Sequence, residues 1–308
     1  MVPRHVAWRM GYRNDRYMRS LPLEQVFRRF RDFMGNLLVH SDDGRIAPLD
    51  VGRNEAWWIG YTHVLEELAL RGQSWQDPEI DMSSHIVLPR SERVMKSIRA
   101  SKKAPVREGM HYKFGKRLHM ESMVHEGTLR IAPASSFANC ALNSARRDTE
   151  LSVETSPSKD DLNRLCARDG LEPPTFGEDR DWTYVSQAKM DYFVYCVSTQ
   201  FDHRLFDDFK AESCVVIRDP RAFETKLQAA ARERLGGWKA YGTEIEYVDP
   251  LFPPVDRLNP FFCKHFRYFY QHEYRHFWIP ELAPDVPLQP FFLDLGPLPE
   301  CCELLSLD

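Results

Sequence analysis

The sequence predicts an α+β protein, with a mainly helical extension over residues 1–105 and a strand-rich domain over residues 106–308. Three observations carry this division. Apolar residues recur at helical spacing through most of the first third. After it, short β-branched and aromatic runs alternate with turn residues. Between the two lies SERVMKSIRASKKAP (91–105), a basic helix that runs out into a Lys-Lys-Ala-Pro hinge.

In LPLEQVFRRFRDFMGNLLVH (21–40), Val26, Phe30, Phe33, Leu37 and Leu38 share one helical face with arginines set between them. NEAWWIGYTHVLEELALRG (54–72) repeats the pattern, from an Asn cap to a Gly stop. Beyond the hinge, MHYKFG (110–115) reads as a strand, KRLHMESMVHEGTL (116–129) as a helix ending at Gly127, and RIAPASSF (130–137) as a strand entering a loop. The polar stretch 148–181 predicts one helix starting near Ser158 and otherwise surface chain. MDYFVYCVS (190–198), ESCVVIRD (212–219) and GTEIEYVDP (242–250) read as strands, with a helix from Pro220 to Leu235.

Composition narrows the class. Hydrophobic residues make up 43%, charged residues 28% and aromatics 12%, which describes a folded globular chain. Net charge is −4, yet residues 1–105 hold 17 Lys and Arg against 13 Asp and Glu, so the helical third is the more basic part and the better surface for a polyanion. Seven scattered cysteines without a CxxC pair suit reduced thiols and argue against a disulfide scaffold. No apolar run reaches the roughly 18 residues of a membrane span, and the Arg-rich start is unlike a signal peptide, so the expected setting is cytoplasmic, without a membrane partner.

The stretch YQHEYRHFW (270–278) carries two overlaid patterns. As His272-Glu273-x-x-His276 it is a zinc-peptidase signature, which requires a helix so that both imidazoles reach one ion. As a strand, it places Phe269, Gln271, Glu273, Arg275 and Phe277 on one face and Tyr270, His272, Tyr274, His276 and Trp278 on the other. The density of Tyr, Phe and Trp and the closing Pro280 favour the strand. On that face Arg275 is also placed to form a purely structural ion pair with Glu273. The neighbouring PFFCKHFRYFY (260–270) is either core or, beside Lys264 and Arg267, a base-stacking surface.

The order HYKFG, HEGTLRIAPASSF, LNSARRDTELS, YFVYCVSTQ, KHFRYFYQHEYR resembles bacterial proteins with an ADP-ribosyltransferase-like fold, over roughly residues 106–295. Relatives of this kind include toxins of toxin-antitoxin and anti-phage systems that modify nucleic acids. The resemblance implies a split β-sheet core holding NAD as substrate. It implies catalysis by Glu273 with Gln271 two residues before it, and NAD contacts from Ser198 and Thr199, where the third position of the Ser-Thr-Ser pattern is Gln200. For the residue on the opening strand, His111, Tyr112 and Lys113 are all candidates, and Arg146 and Arg147 could clamp phosphates. It further implies a nucleic-acid acceptor, RNA ahead of DNA, and a neutralising antitoxin or chaperone partner. A non-catalytic nucleic-acid-binding module on the same fold is the remaining alternative.

Overall fold

A computed structural model describes residues 2–41, 43–74, 91–102, 107–138, 148–175, 180 and 182–307. It is a mixed α+β protein. The first part is a helical bundle of α1 (Arg4–Asn14), α2 (Leu23–Leu37) and α3 (Glu55–Leu70), with a small hairpin of β1 (Leu38–His40) and β2 (Ile46–Pro48). The expected apolar face of α2 is the buried one, through Val26, Phe30, Phe33 and Leu37. Gly60 of α3 lets the Phe33 ring lie against that helix, since a Cβ there would stand 2.3 Å from the ring. Asn54 occupies the N-cap position of α3, although its amide donates to the Asp50 carbonyl instead of capping.

Helix α1 was not anticipated, and buried charge explains it. Glu66 and Glu67 on α3 are fully buried. Arg9 and Arg13 pair with Glu66, and Arg16, Arg71 and the Tyr12 hydroxyl bond Glu67. Buried carboxylates need such partners. The arginines that make the N-terminal third basic are therefore partly spent inside the bundle.

The bundle is fastened to the rest of the chain. Arg29 makes a two-pronged contact with Asp249, including Nη1 to Oδ1 at 2.6 Å. The Asn36 side chain accepts from the Tyr270 amide at 2.9 Å and donates to the Arg267 carbonyl at 3.2 Å. Phe266 packs against Phe33, and Phe269 against Trp57. The aromatic run 260–270 therefore behaves largely as core: Phe266, Tyr268 and Tyr270 are buried. Helix α4 (Glu92–Ser101), capped by Ser91, packs on α7 (Arg204–Asp208) and β14 (Cys302–Ser306), and Ser97 hydrogen-bonds His203 at 2.9 Å.

The remaining elements are β3 (His111–Gly115), α5 (Arg117–His125), β4 (Thr128–Pro133), β5 (Ser152–Thr155), α6 (Lys159–Asp169), β6 (Tyr184–Gln187), β7 (Phe193–Ser198), β8 (Ser213–Ile217), α8 (Pro220–Arg234), β9 (Lys239–Glu244), β10 (Glu246–Val248), β11 (Cys263–His265), β12 (Glu273–Ile279) and β13 (Phe291–Asp294). Helix α6 begins next to Ser158, as expected, and the Ser158 side chain caps it. The stretch 148–181 departs from the expected surface chain: Val153 and Thr155 are buried, and β5 pairs with β6.

An antiparallel sheet of eight strands runs β13-β4-β7-β3-β8-β14, with β12 and then β9 added beside β7. Strand β7 is its hub. One edge of β7 pairs with β12 along the whole length, from Phe193↔Trp278 to Ser198↔Glu273. The other edge is shared: β4 takes Phe193 and Val194, and β3 takes Ser198. Strands β3 and β4 then diverge, and the register gives Tyr195, Cys196 and Val197 no partner on that edge. The sheet is notched there.

Candidate functional site

The notch opens a cavity of about 600 Å³. Its wall includes Tyr112 and Lys113 from β3, Tyr195, Cys196 and Ser198 from β7, Gln271 from the turn before β12, and Glu273, the first residue of β12. An unpaired strand edge leaves carbonyls in need of donors. Lys113 meets that need, its Nζ donating to the Cys196 carbonyl at 2.6 Å while lying 4.3 Å from the centre of the Tyr195 ring.

One expectation is corrected at the double motif. A continuous strand over 269–278 is not formed. Phe266–Gln271 is a 3-10 turn, His272 adopts a left-handed conformation with φ 42°, and the strand begins at Glu273. Two contacts fix this break: Asn36 holds the Tyr270 amide, and the Thr199 amide and hydroxyl both donate to the His272 carbonyl, at 2.8 and 3.2 Å. The break does not separate Gln271 from Glu273. Lys264 on β11 lies between them, its Nζ 3.3 Å from Gln271 Oε1 and 3.0 Å from Glu273 Oε2. The pair converges on the cavity through a turn, where a shared strand face was expected.

The helix that the zinc reading needs is likewise not formed, because His272 ends a 3-10 turn and His276 lies within β12. His272 packs on Phe269, while His276 is buried beside Tyr195 and Phe223. Among the described residues no group of three or more His, Cys, Asp and Glu is placed to hold a metal.

Glu273 sits in a buried charge cluster. Arg275, fully buried, donates through Nε to Glu273 Oε1 at 2.8 Å and also pairs with Glu150. Lys264 reaches Asp148 and Glu150, each at 3.3 Å. The structural ion pair anticipated between Arg275 and Glu273 is thus present, extended to three carboxylates around two cations. Burial alone would raise the Glu273 carboxyl, but Arg275 and Lys264 beside it hold it well below the usual carboxylate range. Glu150 moves the opposite way: burial pushes it up against those same two cations, with Glu273 and Asp148 adding repulsion. Arg275 and Lys264 therefore favour the ionised form of Glu273. Its Oε1 accepts from Arg275 and its Oε2 from Lys264, and the Cys196 thiol is a further donor to the same carboxylate.

The other sequence candidates divide. Tyr112 lines the cavity, but its hydroxyl is engaged with the Arg107 backbone. Ser198 lines it too, with its hydroxyl donating to the Gln200 carbonyl at 2.6 Å, so it shapes the turn. Thr199 and His111 do not line it; Thr199 steadies His272, and the His111 ring lies tilted against Tyr274. Arg146 and Arg147 lie outside the described residues. Sequence reasoning assigned no role to Glu150 or Asp148, and took Lys264 only as a companion of the aromatic run. Their one signal was acidic residues in a stretch otherwise read as surface.

Compared with known proteins, the chain matches no family model, and no curated protein or solved structure is significantly similar to it. What the fold and site define is a notched antiparallel sheet with a buried glutamate, paired with two cations, at the wall of its cleft. No helix among the described residues is long and apolar enough to cross a membrane.

Proposed function

We propose that the protein is an NAD-dependent ADP-ribosyltransferase, acting through Glu273 with Gln271. The observation that carries this reading is the convergence of Lys113, Gln271 and the cation-paired Glu273 on one cavity at the split of the sheet. The cavity volume lies within the ~300–1,000 Å³ typical of small-molecule sites.

The chemistry suits these groups. Breaking the bond between nicotinamide and ribose leaves the electron pair on nicotinamide and develops positive charge at the sugar carbon, as in glycoside hydrolysis. A carboxylate already ionised and held by two cations needs little reorganisation to face that charge and to accept a ribose hydroxyl. Gln271, steadied by Lys264, stands where it can orient the attacking group of the acceptor. Nucleic acid, RNA ahead of DNA, is the acceptor this reading favours, and growth inhibition or anti-phage defence is the matching role, with a neutralising protein as partner.

The test offers labelled NAD with RNA, single-stranded DNA or cell extract to the wild type and to Glu273→Gln. Label on one polymer that disappears in the variant supports the reading and names the acceptor class. Strand binding without NAD turnover would favour the non-catalytic binding module.

A further inference from the structure

The outer wing of the notch carries two side chains that the transferase reading leaves without a task. Arg130 on β4 and Phe292 on β13 are directly opposed in the antiparallel ladder. Their side chains project from one face, with Cβ atoms about 4.5–5.5 Å apart. Both line the cavity, and both face solvent, Phe292 being 64% exposed. The fold does not need them there. Strand β13 supplies its core contribution through Phe291 and Leu293 on the other face. Arg130 forms no ion pair or hydrogen bond among the described residues, not even with Asp294, its diagonal neighbour, which accepts instead from the Gly296 amide. Lys116 and Lys210 add charge to the same rim, although each also faces an acid, Glu212 at 2.8 Å and Asp207 at 3.8 Å.

We propose that Arg130 and Phe292 form a platform for one unstacked base of single-stranded RNA, the ring stacking on the base and the guanidinium engaging the adjoining phosphate. The proposal rests on the transferase reading and specifies how its acceptor is delivered to the cavity. An aromatic face beside a cation is the pairing that single-strand recognition uses, because every base has a π-face and every nucleotide a phosphate. Exposure favours a polymer over a free nucleotide. A small ligand in a pocket loses ~70–90% of its surface to the protein, whereas a platform this open suits a ligand that continues past it.

The experiment measures binding of a fluorescein-labelled RNA heptamer to the full chain by anisotropy, without NAD, so that its outcome is independent of turnover. Phe292→Ala is expected to weaken binding about 5- to 150-fold. Phe292→Trp is expected to retain binding and to be quenched by the strand. Arg130→Ala should lower the salt dependence by the equivalent of about one phosphate contact, and a heptamer with an abasic centre should bind more weakly. Equal binding by wild type and Phe292→Ala, or by intact and abasic strands, would overturn the platform. So would tighter binding of the matching DNA, or quenching of Phe292→Trp by NAD but not by RNA. A strand that binds through Phe292 on a protein that never cleaves NAD would overturn the transferase reading and leave the platform standing.

Discussion

Both ring nitrogens of His276 are buried without a hydrogen-bond partner among the described residues, where Glu224 stands 3.7 Å away. Burial lowers this imidazole to about 3, with His111 and Lys113 adding to the effect. The unfolded chain takes up a proton near pH 6.5, whereas the native one does not until far lower. The stability of the neutral ring is therefore complete above about pH 6.5 and declines as the pH falls toward 3, by roughly 1.4 kcal/mol per unit. His276→Phe should show a smaller fall in urea midpoint between pH 6.5 and 4 than the wild type; an equal fall would contradict this account. Lys264 offers a functional counterpart. Its charge helps hold Glu273 ionised, so Lys264→Met should raise the Glu273 carboxyl and move the acid limb of NAD transfer to higher pH. A lower rate with an unmoved limb would make Lys264 purely structural.

Among the elements, the link from α5 to β4 depends on Gly127, with φ 77° and the place of its missing Cβ 1.9 Å from the Gly296 carbonyl oxygen. Gly127→Ala combines left-handed strain with a backbone clash, and should cost at least about 3 kcal/mol in urea unfolding. A change below 1 kcal/mol would show that the 296 loop moves aside easily. Most elements were legible because their signals are local: the apolar stripe of α2, the Ser158 cap, and the β-branched run of β7. The turn at Phe266–Gln271 was not. Its alternating aromatics satisfy a strand period, and the break comes from distant partners, Asn36 and Thr199, that no local pattern records. The charge cluster was half legible for the same reason. Glu273 and Arg275 are neighbours on one strand face, whereas Glu150 and Lys264 join them only through the fold.

At the scale of the whole molecule, the bundle shares a core with the turns that lead into the start of β12. Leu251 and Phe266 pack among the residues of α1, α2 and α3, and Arg29 is 6% exposed against Asp249. Arg29→Met should therefore lower stability by roughly 2–3 kcal/mol, read as one shifted transition by fluorescence and circular dichroism alike. Two separated transitions in the wild type would mean that the bundle folds on its own. This anchoring also bears on the site, because Asn36 of the bundle holds the turn that presents Gln271. The most direct test of the central claim is transfer from labelled NAD to RNA by the wild type and by Glu273→Gln, which keeps the side-chain volume and removes the charge. The account predicts label on the RNA with the wild type and a loss of at least about 100-fold in the variant, of the order seen when one preorganised electrostatic group is removed from an active site. Nicotinamide release and transfer that are equal in the two proteins, or absent from both, would contradict it.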